Sequence, residues 1–227
     1  MPPAGALPDR PPHQNRIKSW QLAALVFLSS PASPAWPNDQ PAPLRQTFSV
    51  YQAQGVDANL IDVIPKAVRG DLDFERSYFA GVGYQRFFAN PRLLQRILDT
   101  VGAPNIENGV DLVAVKHWGL QHNAELAAAY VLRTPMADLA GITLRFAVGF
   151  GLSYALGTPS YEDGPKDDPQ RRYRLQNFNT YEFEWGLRAV RSVSLVTRIH
   201  HRSGIYGLIA PRHVGSNFMA VGLRAAF

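Results

Sequence analysis

Cysteine is missing from all 227 residues. That removes disulfide frameworks and thiolate zinc sites from consideration, and it leaves the compartment open, because many exported proteins carry no disulfides. Also missing after residue 36 is any run of about 18 apolar residues, so no helical membrane span is expected there. A mean hydropathy of −0.16 excludes a polytopic helical membrane protein. It does not exclude a β-barrel, whose polar inward face cancels its apolar outward face in the average. Strong charge of one sign is lacking too. Of the net +5, Arg10, Arg16 and Lys18 against Asp9 supply two, leaving +3 for residues 36–227. So small and scattered an excess gives no footprint for nucleic acid, although it favours an anionic surface such as phosphorylated glycolipid. His117, His122 and His213 show no ligand spacing, so neither a metal nor a cofactor is expected.

What is present begins with a leader. Residues 1–15 are rich in Pro and polar residues and read as an unstructured extension or as a start placed too far upstream. Arg16 and Lys18 then precede the apolar run Trp20 to Leu28, followed by small residues at Ser33 and Ala35. This is the layout of a secretory signal peptide cut near Ala35, the alternative being a short anchor helix. Residues 1–35 are therefore read as extension plus signal peptide and residues 36–46 as a linker. Residues 47–227 are read as the folded domain.

Within that domain, period-two segments recur between Gly, Pro, Asn and Asp. Strands are expected near 47–54, 76–86, 110–119, 123–133, 142–153, 178–187, 193–203 and 217–227. Two alternations are clearest. Ile142, Leu144, Phe146, Val148, Phe150 and Leu152 oppose Thr143, Arg145 and Ser153, and Tyr181, Phe183, Trp185 and Leu187 oppose Thr180, Glu182 and Glu184. Segments of about 9–11 residues suit tilted membrane-crossing strands, and lipid obliges such a sheet to close. The expected fold is all-β, an eight-stranded antiparallel transmembrane β-barrel with one short helix near 91–101, opened by Pro91. Glu125, Glu182, Glu184, Arg133, Arg145, Arg198 and Arg224 then form an ion-pair network inside it. With both termini periplasmic, the odd-numbered connections face the cell exterior. The long loop 154–177, with Glu162, Arg174 and other charges, is among them and is placed to meet glycolipid phosphates.

The end of the chain carries the chemistry. Strand parity puts Val193, Leu195, Thr197 and Ile199 on one face with His201 and Ser203. The same count in the last strand puts Asn217 with Met219, Val221, Leu223 and Phe227. A base and a hydroxyl two residues apart on an apolar, outward face suit an enzyme whose substrate is a lipid. His200 and Arg202 point inward, where Arg202 is placed to neutralise a buried acid. Glu182 and Glu184 lie inside as well and are rejected as partners of His201.

His201-Arg202-Ser203 near the end of the seventh strand, the glycine-containing loop and the terminal Phe227 resemble the lipid A 3-O-deacylase (PagL-type) or acyloxyacyl hydrolase family of outer-membrane barrels. The resemblance covers residues 45–227 loosely and the last thirty-five more specifically. It implies the bacterial outer membrane as location, lipopolysaccharide as partner, the barrel-assembly machinery as reader of Phe227, and hydrolysis of an ester-linked acyl chain of lipid A. There are two departures. Gly204 stands where the family has Asn, and Asn217 falls nearest the family's catalytic Glu. The implied roles are Ser203 as nucleophile, His201 as general base and Asn217 as orienting residue. Backbone N–H groups of Gly204 or Ile205 would be oxyanion donors. Leu195, Ile199, Met219 and Val221 would contact acyl chains. The alternative is a non-catalytic structural or adhesion barrel that has lost the carboxylate. A soluble, lipocalin-like barrel is weaker, because its interior would have to be the apolar face.

Overall fold

A computed structural model describes residues 45–162, 173–211 and 214–227. The leader 1–35, residues 36–44 of the linker, Asp163 to Arg172 of the long loop and His213 lie outside the described residues. Alternating side chains with opposite solvent preference set the strands. They are β1 (Gln46–Val56), β2 (Phe74–Phe88), β3 (Glu107–Gly119), β4 (Ala124–Arg133), the three-residue β5 (Ala137–Leu139), β6 (Ile142–Leu156), β7 (Leu175–Leu187), β8 (Val190–Ser203) and β9 (Gly215–Ala226). Neighbours pair antiparallel in the order β4, β3, β2, β1, β9, β8, β7, β6. β4 then returns to β6, so the sheet closes on itself. β5 is only a short rung in the turn before β6, pairing Ala137 with Leu144. The fold is therefore a closed antiparallel barrel of eight long strands, as the alternation led one to expect.

The wall partitions its side chains as a membrane demands. Outward residues such as Phe150, Leu126, Val221 and Leu223 are more than half exposed, forming an apolar band. Inward positions hold charge: Arg133, Arg198, Arg202 and Arg224 are among the most deeply buried large side chains. Each has a carboxylate. Arg224 Nη1 reaches Glu182 at 2.6 Å and Glu184 at 2.9 Å, Arg145 reaches Glu184 at 2.8 Å, and Arg133 reaches Glu107 at 2.7 Å. Arg198 pairs with Asp111 and lies 3.2 Å from Glu182. Near the end away from Gln46 and Phe227, Glu125 accepts from His117 (3.1 Å) and His200 (3.0 Å), with Arg202 at 3.6 Å. The expected inward role of Arg202 thus has a named acid. Phe79, Phe178 and Phe218 surround His200, with ring centroids 4.7 Å (Phe178) and 4.9 Å (Phe79) from it, and fill the interior with side chains as an eight-stranded barrel allows. An exterior so apolar around an interior so charged is an outer-membrane type of barrel. Among the described residues no helix is long and apolar enough to cross a membrane; here strands make the crossing.

Among the described residues two α-helices sit in the connections. The expected one spans Arg92–Thr100, with Pro91 as the residue before it and not its first helical residue. Its proline lacks a donor that a helix start would leave unpaired anyway. The other, α1 (Leu60–Arg69), was not foreseen: Pro65 sits inside it, where the missing N–H normally argues against a helix. It is closed by Gly70 in the left-handed conformation, whose N–H meets the last carbonyls. The start of β1 and the end of β9 meet at one end of the barrel, where Gln46 and Phe227 exchange backbone hydrogen bonds. α1 therefore occupies the opposite, distal end, together with the β8–β9 connection.

Candidate functional site

Register brings the foreseen residues onto one patch of the outer wall. His201 lies opposite Asn217 on β9 and opposite Asn179 on β7, and Ser203 lies opposite Gly215 and Asn177. Directly opposed side chains in an antiparallel pair have Cβ atoms about 5 Å apart, so this patch is a compact polar surface at the distal end of an apolar face.

His201 Nδ1 and Asn217 Oδ1 are 2.7 Å apart. Which atom donates follows from the far end of the amide. Asn217 Nδ2 donates to the Ala58 carbonyl at 2.7 Å, and a carbonyl only accepts. The oxygen of Asn217 therefore faces the imidazole, Nδ1 must carry the hydrogen, and the neutral ring keeps its lone pair on Nε2. A short chain from Ala58 through Asn217 thus fixes the tautomer of His201. His201 and Ser203 are half-buried, and Asn217 is buried beneath the 57–59 turn. Among the described residues Ser203 is hydrogen-bonded to neither His201 nor Asn217. None of the four cross-strand neighbours is acidic.

Several expected contacts need correction. Ile199 is only 5% exposed and Met219 is partly covered, because Val63 of α1, with Leu60 and Leu72, packs over them on the outside of the wall. Ile199 is therefore closed to the outside and Met219 only partly reachable, whereas Leu195 and Val221 are 44% and 51% exposed. Gly204 does not offer an oxyanion donor, because its N–H is bonded to the Val214 carbonyl at 3.2 Å. Its small size has another cause: a Cβ there would lie 2.1 Å from the Ala210 carbonyl oxygen, so an Asn would not fit this loop. Ile205 follows with φ 46°, a conformation costly for a β-branched residue.

Glu162 is not an outward carboxylate. It folds back into the barrel mouth, buried, where Arg202, Gln176 and Ser216 donate to it. Burial pushes its carboxyl up to about 7; Arg202 opposes the rise and Glu125 adds to it. Among the described residues no group of three His, Asp or Glu is arranged to hold a metal ion.

Two polar neighbours go unassigned in the sequence reading: Asn177 falls just outside the expected strand 178–187, and Asn179 lies at its edge, ahead of the clear alternation. Yet they share a face with Tyr181, Phe183 and Trp185, which was the available signal. Asn177 Nδ2 is engaged by the Gly151 carbonyl at 2.9 Å, whereas Asn179 Oδ1 is buried without a partner. The arrangement supplies a base with a fixed lone pair, an alcohol two residues away on the same face, and a side-chain amide beside them.

No family model matches the sequence, and no curated protein matches it. Among solved structures, the chain is similar to the outer membrane enzyme PagL, at 10% identity and a TM-score of 0.49 over 79% of this chain and 99% of that one. It is similar to Neisserial surface protein A, at 9% identity and 0.45 over 80% and 97%. It is also similar to the N-terminal β-barrel domain of Pseudomonas aeruginosa OprF, at 9% identity and 0.41 over 81% and 98%.

Proposed function

We propose that this outer-membrane barrel is a serine esterase that removes an ester-linked acyl chain from lipid A. The observation that carries the reading is the bond from His201 Nδ1 to Asn217 Oδ1, because it leaves Nε2 as the basic nitrogen on the face that also bears Ser203. Ser203 Oγ would attack the ester carbonyl while His201 Nε2 takes its proton. The imidazolium would then protonate the departing sugar alkoxide, and water, activated the same way, would release the acyl-enzyme as free fatty acid. An amide orients the ring but does not stabilise the imidazolium as a carboxylate does, so turnover is slow for this class of chemistry. The side-chain amide of Asn179 replaces Gly204 as proposed oxyanion donor. Acyl chains would reach the pair along Leu195 and Val221, below the cover formed by α1. Lipopolysaccharide is the proposed partner, and Phe227 the feature offered to the barrel-assembly machinery.

Mass spectrometry of lipid A from Gram-negative cells expressing the wild type, Ser203→Ala and His201→Ala tests this. Loss of one hydroxyacyl chain with the wild type alone is expected; an unchanged acyl pattern with the wild type would remove the proposal. A second reading, a non-catalytic surface barrel, is favoured by one observation: Ser203 makes no hydrogen bond to His201. Catalytic contacts commonly tighten only with substrate bound, which is why the hydrolase reading is preferred.

A further inference from the structure

α1 divides its surface into three sides. At about 100° per residue, Ile61, Ile64 and Val68 fall within one arc of about 60°. Asp62, Lys66 and Arg69 fall in another, and Val63 lies on the remaining side. Val63 is fully buried against Ile199 and Met219 of the barrel's outer face. Ile61 and Val68 are each 83% exposed and Ile64 is 45% exposed. The surface that α1 sits on is the lipid-facing one, since Leu195 and Val221 on the same strand faces belong to the apolar band. The exposed side of α1 is apolar, like the band on which the helix is docked.

We infer that α1 is an in-plane membrane helix, docked on the wall through Val63, with Ile61, Ile64 and Val68 among the acyl chains of the outer leaflet and Asp62, Lys66 and Arg69 toward water. A helix with wall, lipid and water on three sides is a stable interfacial arrangement, because each side finds its own solvent. The inference does not depend on the hydrolase reading: it holds for an inert barrel as well.

The chain has no cysteine, so single-cysteine variants I61C, I64C, V68C, D62C, K66C and R69C can each carry an environment-sensitive fluorophore. L223C on the open wall serves as the lipid-facing reference. Heat-modifiable mobility checks that each variant is folded. In phosphatidylcholine vesicles made with acyl-brominated lipid, quenching and a blue-shifted emission are expected at 61, 64 and 68, approaching L223C. Positions 62, 66 and 69 should answer instead to an aqueous quencher. Labels at 61, 64 and 68 that respond to the aqueous quencher and ignore bromine would overturn the inference. So would labels shielded from both, which would report cover by a second copy or by another part of the chain.

Discussion

Replacing Asn217 by Asp separates the two bonds its side chain makes. On the imidazole side the change is favourable: a hydrogen bond to a charged group contributes about 1.5–3 kcal/mol against about 0.5–1.5 kcal/mol for a neutral one. The gain of roughly 1 kcal/mol is fullest when His201 becomes imidazolium, so deacylation should rise about fivefold. On the other side the change is unfavourable. A carboxylate oxygen would stand 2.7 Å from the Ala58 carbonyl where an N–H stood. Losing that bond and leaving two acceptors opposed costs about 1–3 kcal/mol. The 57–59 turn should therefore loosen and α1 with it. The assay is paired: initial rates of fatty-acid release from lipid A in mixed micelles, and the line width of a spin label at position 61. Faster fatty-acid release with a more mobile α1 is expected if the proposed pair is at work. A rate that falls tenfold, or an α1 label that does not change, would refute the assignment of amide oxygen to His201 and amide nitrogen to Ala58.

Three further outcomes follow from the interior and the rim. Arg198→Met leaves Asp111 buried without its cation, at a cost of roughly 3–5 kcal/mol. Adding Asp111→Leu should recover most of it in urea unfolding of the vesicle-inserted barrel, and equal stabilities for single and double variants would contradict the pairing. Glu162 has a folded carboxyl at about 7 against an ordinary 4.5, so the folded state holds an extra proton between those values. The stability this confers is present below pH 4.5 and lost as pH rises through 7, a span of roughly 3 kcal/mol. Glu162→Gln should abolish that slope, and a slope unchanged in the variant would show that another group causes it. Asn179→Ala should lower kcat about 10²-fold with little change in KM if its amide meets the oxyanion; a change confined to KM would assign it to substrate binding instead.

Parity made the barrel legible. A period of two over ten or more residues assigns each side chain a face, and the charged class and the apolar class could not both lie in lipid. It also placed His200, Arg202, Glu182 and Glu184 inside without any contact being known. What parity cannot state is what covers a face. Ile199 and Met219 do point outward, but α1 lies over them, and Pro65 hid that helix because the residue disfavours the element that contains it. Glu162 escaped for a related reason: a charged residue in a long loop reads as solvated, yet a loop that folds back into the barrel mouth finds Arg202 there. The role of Gly204 likewise depended on Ala210, six residues on, a contact that spacing does not reveal.

The central claim is that Ser203 and His201 form a working pair on the lipid-facing wall. Its most direct test is the release of free hydroxy fatty acid from purified lipid A by the purified, vesicle-inserted barrel, compared with Ser203→Ala and His201→Ala proteins shown to be folded by heat-modifiable mobility. Release by the wild type and none above background by either variant is the predicted result. Release that persists in both variants, or none from the wild type, contradicts it.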